Sequence, residues 1–424
     1  MIFISPINIC SSCAQNTIFE KCCSNFEIVE KTSDCSTFEQ TELQKYVSSR
    51  DSAFDWIVDH TYQPFTINEL GKGLKNLIEY KWITLTSQFY LNSTFVDPEL
   101  GGTWTHNVLL CHGKPNENSN FDEIGYIKLQ QIQDESRPKT QLRSMPKSSS
   151  KHVIQSACQA AAEQGTVGIR IEGIPAEVKY VGENKPQTEG VQAIGANYYF
   201  SKGAHISAIA EFAEVKAVVM AMEMADEYLI SKGYRSTKIT KWGVMGDSKR
   251  GAVTFTTAAA DPRMAFGAPR INTVEMARSE VFRNDLNALG GANSGWSRHI
   301  NNNWYEDWLR PSEKRNLADT SLSLKNHVDK LENIPMYMPL GAQDTMMHID
   351  NINAWWDSIF RISNNLTLHL IPNQGHTAAG FTPVFNIFPQ AIAENKVEQL
   401  PRLNWKYATT FRKQDTVNVC LQCV

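Results

Sequence analysis

The sequence predicts an α/β fold: a mostly parallel sheet with helices on both faces. Two observations carry that prediction. From residue 153 onward apolar helical and strand patterns alternate, which is how parallel strands are joined by crossover helices. One predicted strand, 238–245, runs directly into Gly246-Asp-Ser-Lys-Arg-Gly251 and then into an apolar helix that starts Ala252-Val-Thr-Phe.

Residues 1–50 are polar and Cys-rich, without sustained periodicity, and are read as an appended segment. The globular pattern begins near Asp51. Residues 80–91 alternate and are rich in β-branched and aromatic types, which predicts a half-exposed strand. Residues 104–110 are its expected antiparallel neighbour, and 124–129 a third strand. Residues 131–151 carry hardly any apolar anchors and are expected to be a long surface loop. A helix over 153–164 and a buried strand over 166–171 follow. Val215, Val218, Val219, Met222, Ala225 and Leu229 recur at helical spacing and are expected to pack on the sheet. Further strands are predicted over 334–341 and 366–371, with a helix over 352–360 between them. A long insertion at about 275–325 holds Trp296, Trp304, Tyr305 and Trp308. It is read either as a cap whose aromatics, Trp304 and Trp308 among them, line a substrate pocket, or as a helical subdomain on the rim. The organisation expected is thus 1–50, a domain over 51–405 with the insertion, and a tail over 406–424.

Composition narrows the function. Lys plus Arg is 41 and Asp plus Glu 45, so the formal net charge is 41 − 45 = −4. That balance leaves no electrostatic footprint for nucleic acid or for an anionic membrane. No run approaches the ~20 apolar residues that span a bilayer. The nine cysteines are uneven: Cys10, Cys13, Cys22, Cys23 and Cys35 near the start, Cys420 and Cys423 at the end, and only Cys111 and Cys158 between. The two clusters read as disulfide staples between the tails, on one side of the molecule, with a possible protein partner through them; zinc ligation by the C-x-x-C pairs is the alternative. Sequons at Asn92 and Asn365 and the cysteine usage favour secretion over a cytoplasmic location.

The chemistry concentrates at strand ends. A serine on a sharp strand-to-helix turn is the nucleophile elbow of α/β hydrolases, with Gly246 meeting the need for a small residue two before Ser248. Arg250 stands where a second small residue is expected, and glycine is delayed to 251. A serine hydroxyl needs a base to take its proton and a carboxylate to orient that base. Asp344 follows the strand 334–341 and His376 the strand 366–371, so acid and base come in the order and strand-end placement this fold uses. Lys249 N–H is the oxyanion donor expected next to the nucleophile. His348 and Asp350, a few residues beyond the strand end, are expected to line the pocket. The core has no clustered His/Cys pattern, so no metal or cofactor is expected.

Trp104-x-His106, Gly246-Asp-Ser-Lys-Arg-Gly251, Asp261-Pro-Arg263, Gly341-Ala-Gln-Asp344 with Asp350 and Trp355-Trp-Asp357, and Pro372-Asn-Gln-Gly-His376 resemble the PhoPQ-activated pathogenicity-related family. The resemblance covers roughly 52–405 and is densest from 238 to 380. It implies an α/β-hydrolase fold with a serine hydrolase or peptidase-like site at Ser248, Asp344 and His376. The family includes secreted eukaryotic signals that repress proliferation. In two places this chain departs from the family pattern. Gln130-Gln131 stands where a Gly-Gly pair usually helps form the oxyanion hole, and Glu172-Gly-Ile-Pro175 stands for a Pro-Asn-Gln-Pro loop. The function expected is hydrolysis of an amide or ester in a small-molecule or peptide substrate. The alternative is a catalytically weak or inactive hydrolase fold serving as a signal or assembly component.

Overall fold

In a computed structural model the described residues are 40–60, 65–97, 102–115, 123–130, 151–184, 186–187, 190–272, 310–347, 349, 352, 366–376, 384–394, 396, 403–406 and 420–423. The chain divides into Met1–Glu39, which lies outside the described residues, and Gln40–Val424. The second unit opens with helix α1 (Glu42–Ser48), where seven residues are too few for a helical period to register in sequence. Its start is fixed by a capping box: Thr41 Oγ1 accepts from Gln44 N–H, and Gln44 Oε1 accepts from Thr41 N–H. Leu43 and Val47 are buried in the main core.

The remaining elements are β1 (Asp55–Val58), β2 (Leu77–Phe89), β3 (Thr103–Gly113), β4 (Ile124–Gln130), α2 (Lys151–Gln164), β5 (Val167–Glu172), α3 (Val191–Lys202), α4 (Ala210–Ser231), β6 (Lys241–Asp247), α5 (Lys249–Ala260), β7 (Met264–Arg270), α6 (Glu313–Leu322), β8 (Met336–Gly341), β9 (Leu366–Ile371), α7 (Val384–Ala393), β10 (Leu403–Lys406) and β11 (Cys420–Cys423). Nine strands form one sheet in the order β1-β2-β3-β5-β4-β6-β7-β8-β9. The first pairings, β1–β2, β2–β3 and β3–β5, are antiparallel; the other five are parallel. This is the α/β-hydrolase arrangement, with β6, the strand that leads into Ser248, in the parallel half. β10 and β11 pair separately, so residues 420–423, expected in a tail, form a two-stranded ribbon with 403–406.

Alternation along the strands sends side chains to two cores. Ile127, Leu129, Ile169, Ile171 and Val244 face α4, whose expected apolar stripe is buried throughout. Tyr126, Met245, Phe266 and Ala268 face the other way, toward Ile154 and Ala161 of α2 and Phe388 of α7. On that second face a disulfide joins Cys111 of β3 to Cys158 of α2 across 47 residues. These are the two cysteines that the tail-centred reading left aside. The tail cluster 10–35 lies outside the described residues.

The parallel half has one thin seam. β6 and β7 share six paired positions, as do β8 and β9, but β7 and β8 share only Gly267↔Met336. Gly267 N–H donates to Pro335 O and Ile271 N–H to Pro339 O. The bridge between those two bonds would need N–H groups from Pro269 and Pro339, and proline has none.

Of the insertion, residues 310–325 are described and hold α6, capped by Ser312 Oγ accepting from Arg315 N–H. Trp296, Trp304, Tyr305 and Trp308 lie outside the described residues, as do the loop 131–150 and the helix expected over 352–360, save Ile352. Among the described residues no helix is long and apolar enough to cross a membrane.

Candidate active site

β6 ends at Asp247 and α5 begins at Lys249, leaving Ser248 alone on the turn with φ 57° and ψ −125°. A non-glycine residue in this region costs of order 1–3 kcal/mol and persists only where its surroundings hold it. Here they do. Ser248 N–H donates to Arg270 O at 3.0 Å, and Ser248 O accepts from Gly251 N–H at 2.8 Å and from the buried Asn272 Nδ2 at 2.7 Å. A Cβ on Gly246 would stand 2.2 Å from Arg250 O, so only glycine fits there. Arg250 is tolerated because its side chain leaves the turn and donates to Ile174 O at 3.2 Å.

Asp344 arrives from the end of β8. Asp344 Oδ1 accepts N–H bonds from Met346 at 2.8 Å and Met347 at 2.9 Å, and Oδ2 accepts from His376 Nδ1 at 2.8 Å. Burial pushes this carboxyl up, but the His376 bond and the two backbone donors outweigh it and hold the group below the usual carboxylate range. An ionised Asp344 can only accept, so Nδ1 carries the imidazole proton. Nε2 is then the acceptor for Ser248 Oγ–H, 2.8 Å away. The His376 loop lies tight against the end of β8: Gln343 N–H donates to Gln374 O at 2.9 Å, and a Cβ on Gly341 would be 2.1 Å from Gly375 O.

The structure therefore brings Ser248, His376 and Asp344 together in one chain of hydrogen bonds. Lys249 follows at the first position of α5, at the positive end of the helix dipole. Of Gln130-Gln131, which stand where the family pattern has Gly-Gly, Gln130 ends β4 and residue 131 lies outside the described residues, as do His348 and Asp350. His369 lies inside β9 and hydrogen bonds through Nδ1 to Tyr337 Oη at 2.6 Å. His106 is buried, between Ser87 Oγ and Gly173 O, each 3.0 Å away. Among the described residues no group of three or more His, Cys, Asp or Glu side chains is disposed to hold a metal ion.

Sequence reasoning missed a row of charges beside the elbow. Lys128 of β4, Arg170 and Glu172 of β5, Asp247 of β6 and Arg270 of β7 alternate with the residues of the α4-side core and so share the opposite face. The signal was present in Ile127-Lys-Leu129 and Ile169-Arg-Ile-Glu172, charges interrupting apolar strands at their carboxyl ends.

The model of the PhoPQ-activated pathogenicity-related protein family matches residues 43–422, nearly the whole chain. The chain belongs to that family. The match takes in the whole nine-stranded sheet and the elbow, and all but one end residue each of α1 and of the β10–β11 ribbon. No curated protein matches the family member described here. Solved structures similar to it include an acetyl xylan esterase of a Thermoanaerobacterium species, 12% identical, covering 85% of this chain and 94% of that one with a TM-score of 0.41. An acetyl xylan esterase of a Paenibacillus species is 12% identical over 84% of this chain and 92% of that one, with a TM-score of 0.42. A Pyrococcus furiosus esterase is 10% identical over 81% and 97%, with a TM-score of 0.39.

Proposed function

We propose that this family member is a serine hydrolase that cleaves an amide or ester through a covalent Ser248 ester. The observation that carries the reading is the continuous chain from Ser248 Oγ to His376 Nε2 and from His376 Nδ1 to Asp344 Oδ2, each link 2.8 Å. His376 takes the Ser248 proton as the hydroxyl attacks the substrate carbonyl, then gives it to the leaving group; water and the same base reverse the sequence to release the acid. Asp344 fixes the His376 tautomer and stabilises the transient imidazolium. Lys249 N–H donates to the oxyanion, an interaction worth roughly 2.7–4 kcal/mol where such donors have been removed. The buried Cys111–Cys158 bond and the exposed sequon Asn92-Ser-Thr94 support a secreted protein.

The test is labelling of the full chain with a fluorophosphonate probe, read by peptide mass spectrometry. Adduct is expected on Ser248, and Ser248→Ala is expected to abolish labelling and to lower kcat by roughly 10⁴–10⁶ with the unfolding midpoint retained. A folded wild-type protein that takes no label overturns the hydrolase reading and leaves the non-enzymatic one.

A further inference from the structure

The row of charges at the strand ends is unbalanced. Arg170 Nε pairs with Glu172 Oε1 at 3.0 Å, and Arg270 Nε with Asp247 Oδ1 at 2.9 Å. Lys128 lies beside both pairs, directly opposite Arg170 in the register, and has no hydrogen bond or ion pair of its own among the described residues. Among the described residues, three cations thus face two carboxylates. Arg170 is 3% exposed, and its Nη2 is buried without a hydrogen-bond partner. Leaving such a donor unsatisfied costs about 1–3 kcal/mol, and more for a charged group. The excess charge also presses on Lys128: burial first, then Arg170 and Arg270, lower its ammonium below the ordinary lysine range.

The position of the row is informative in its own right. The chain runs from β4 to β5 on one side and then to β6 on the other, so the direction of winding reverses at β4. In open α/β sheets ligands bind outside the carboxyl ends of the strands at that reversal. Lys128 and Asp247 sit at the carboxyl ends of the two strands that flank it, and Asp247 is joined to Ser248. Lys128 is only half-buried, which gives a ligand a way in from solvent.

We propose that Lys128 and Arg170 cradle one oxyanion group, a carboxylate or phosphate, beside Ser248, and that the hydrolysed substrate carries that group. The second half rests on the hydrolase reading; the first does not. A planar or tetrahedral oxyanion accepts from Arg170 Nη2 and Lys128 Nζ together and supplies the missing negative charge. Glu172 and Asp247 remain with their own arginines and hold both guanidinium groups in place. A neutral group could accept a hydrogen bond there but would leave the excess positive charge unbalanced.

Two measurements separate the two halves. The first is the unfolding midpoint of the full chain titrated with inorganic phosphate or succinate, against chloride at equal ionic strength. Both anions are expected to raise the midpoint through binding to the folded state. Lys128→Met is expected to weaken the effect by roughly tenfold to a hundredfold, and Lys128→Arg to retain most of it. Absence of a shift in the wild type, or an equal shift in wild type and Lys128→Met, overturns the cradle. The second is kcat/KM for the p-nitrophenyl half-ester of succinate relative to p-nitrophenyl acetate. The wild type is expected to favour the anionic ester, and Lys128→Met to lose that preference. An anion-dependent shift without ester preference means a free anion is the ligand and overturns the substrate half. An anion shift without turnover of either ester supports the cradle and counts against the hydrolase reading.

Discussion

Glu214 offers a sharp test of how the helix behind the elbow is held. It lies in α4 at 0% exposure, with Oε2 accepting from Gln192 Nε2 at 3.4 Å and Oε1 without a partner among the described residues. Burial, followed by the nearby Glu211 charge, pushes its carboxyl up from 4.5 to about 8, against opposing pulls from Lys249, Gln192 and Arg250. The folded protein therefore keeps a proton that the unfolded chain releases. Stability from this group is complete below the unfolded value of 4.5 and is lost as pH rises through the folded value of about 8. A gap of ~3.5 units at ~1.36 kcal/mol each gives a loss of ~5 kcal/mol above the folded value and ~3 kcal/mol at neutral pH. Glu214→Gln preserves the shape and has no proton to lose. Urea unfolding of both proteins, from about pH 5 to about pH 8.5, is expected to give nearly equal stabilities at the acid end. The variant should gain by several kcal/mol toward the alkaline end. A difference that stays flat, or that turns in favour of wild type as pH rises, would mean that Glu214 is folded as a carboxylate compensated by Lys249 and Arg250, and the reasoning fails.

Gly341→Ala pushes a Cβ to 2.1 Å from Gly375 O and so displaces the loop bearing His376; the rate of fluorophosphonate labelling is expected to fall about a hundredfold, and a retained rate would show that the loop can yield. Burial lowers the His106 imidazole from 6.5 to about 4, so its stability contribution is full above 6.5 and is lost as pH falls toward 4. That loss amounts to up to ~3 kcal/mol, and His106→Gln, which has nothing to protonate there, should show a shallower acid slope in urea unfolding. Replacing Cys111 and Cys158 together by alanine releases a loop of 47 residues' separation. The expected loss is ~4 kcal/mol in the chain-entropy model, and an unchanged thermal midpoint would refute that share for the bond.

Strands 77–89, 103–113 and 241–247 were legible because alternation and apolar runs register over five residues or more. The elbow was legible because its backbone demand falls on a short stretch: Gly246 must be small, and Ser248 must stand between a strand and a helix. That Asp344 and His376 meet Ser248 was legible from strand ends alone, since a parallel sheet aligns all its carboxyl ends on one edge. Pairing was not. Cys111 and Cys158 are far apart in sequence and meet only because α2 packs across β3, while seven tail cysteines dominated the count. The charges at Lys128, Arg170 and Asp247 each looked like an isolated interruption of an apolar strand. Only the register, which sets Lys128 against Arg170 and Asp247 against Arg270, turns them into one row.

The proline-thinned seam between β7 and β8 divides the site itself. Ser248, Lys249 and the carbonyl of Arg270 that holds the elbow lie on the β6–β7 side; Asp344 and His376 lie on the β8–β9 side. Separating those halves breaks fewer backbone bonds than separating β6 from β7, so an opening at this junction would part Ser248 from His376 while each stays with its own supports. In the hydrolase proposed above, reactivity at Ser248 would report on the closure of one strand junction. Amide exchange in β8 and β9 and the rate of fluorophosphonate labelling at Ser248 are then expected to be two readings of the same equilibrium.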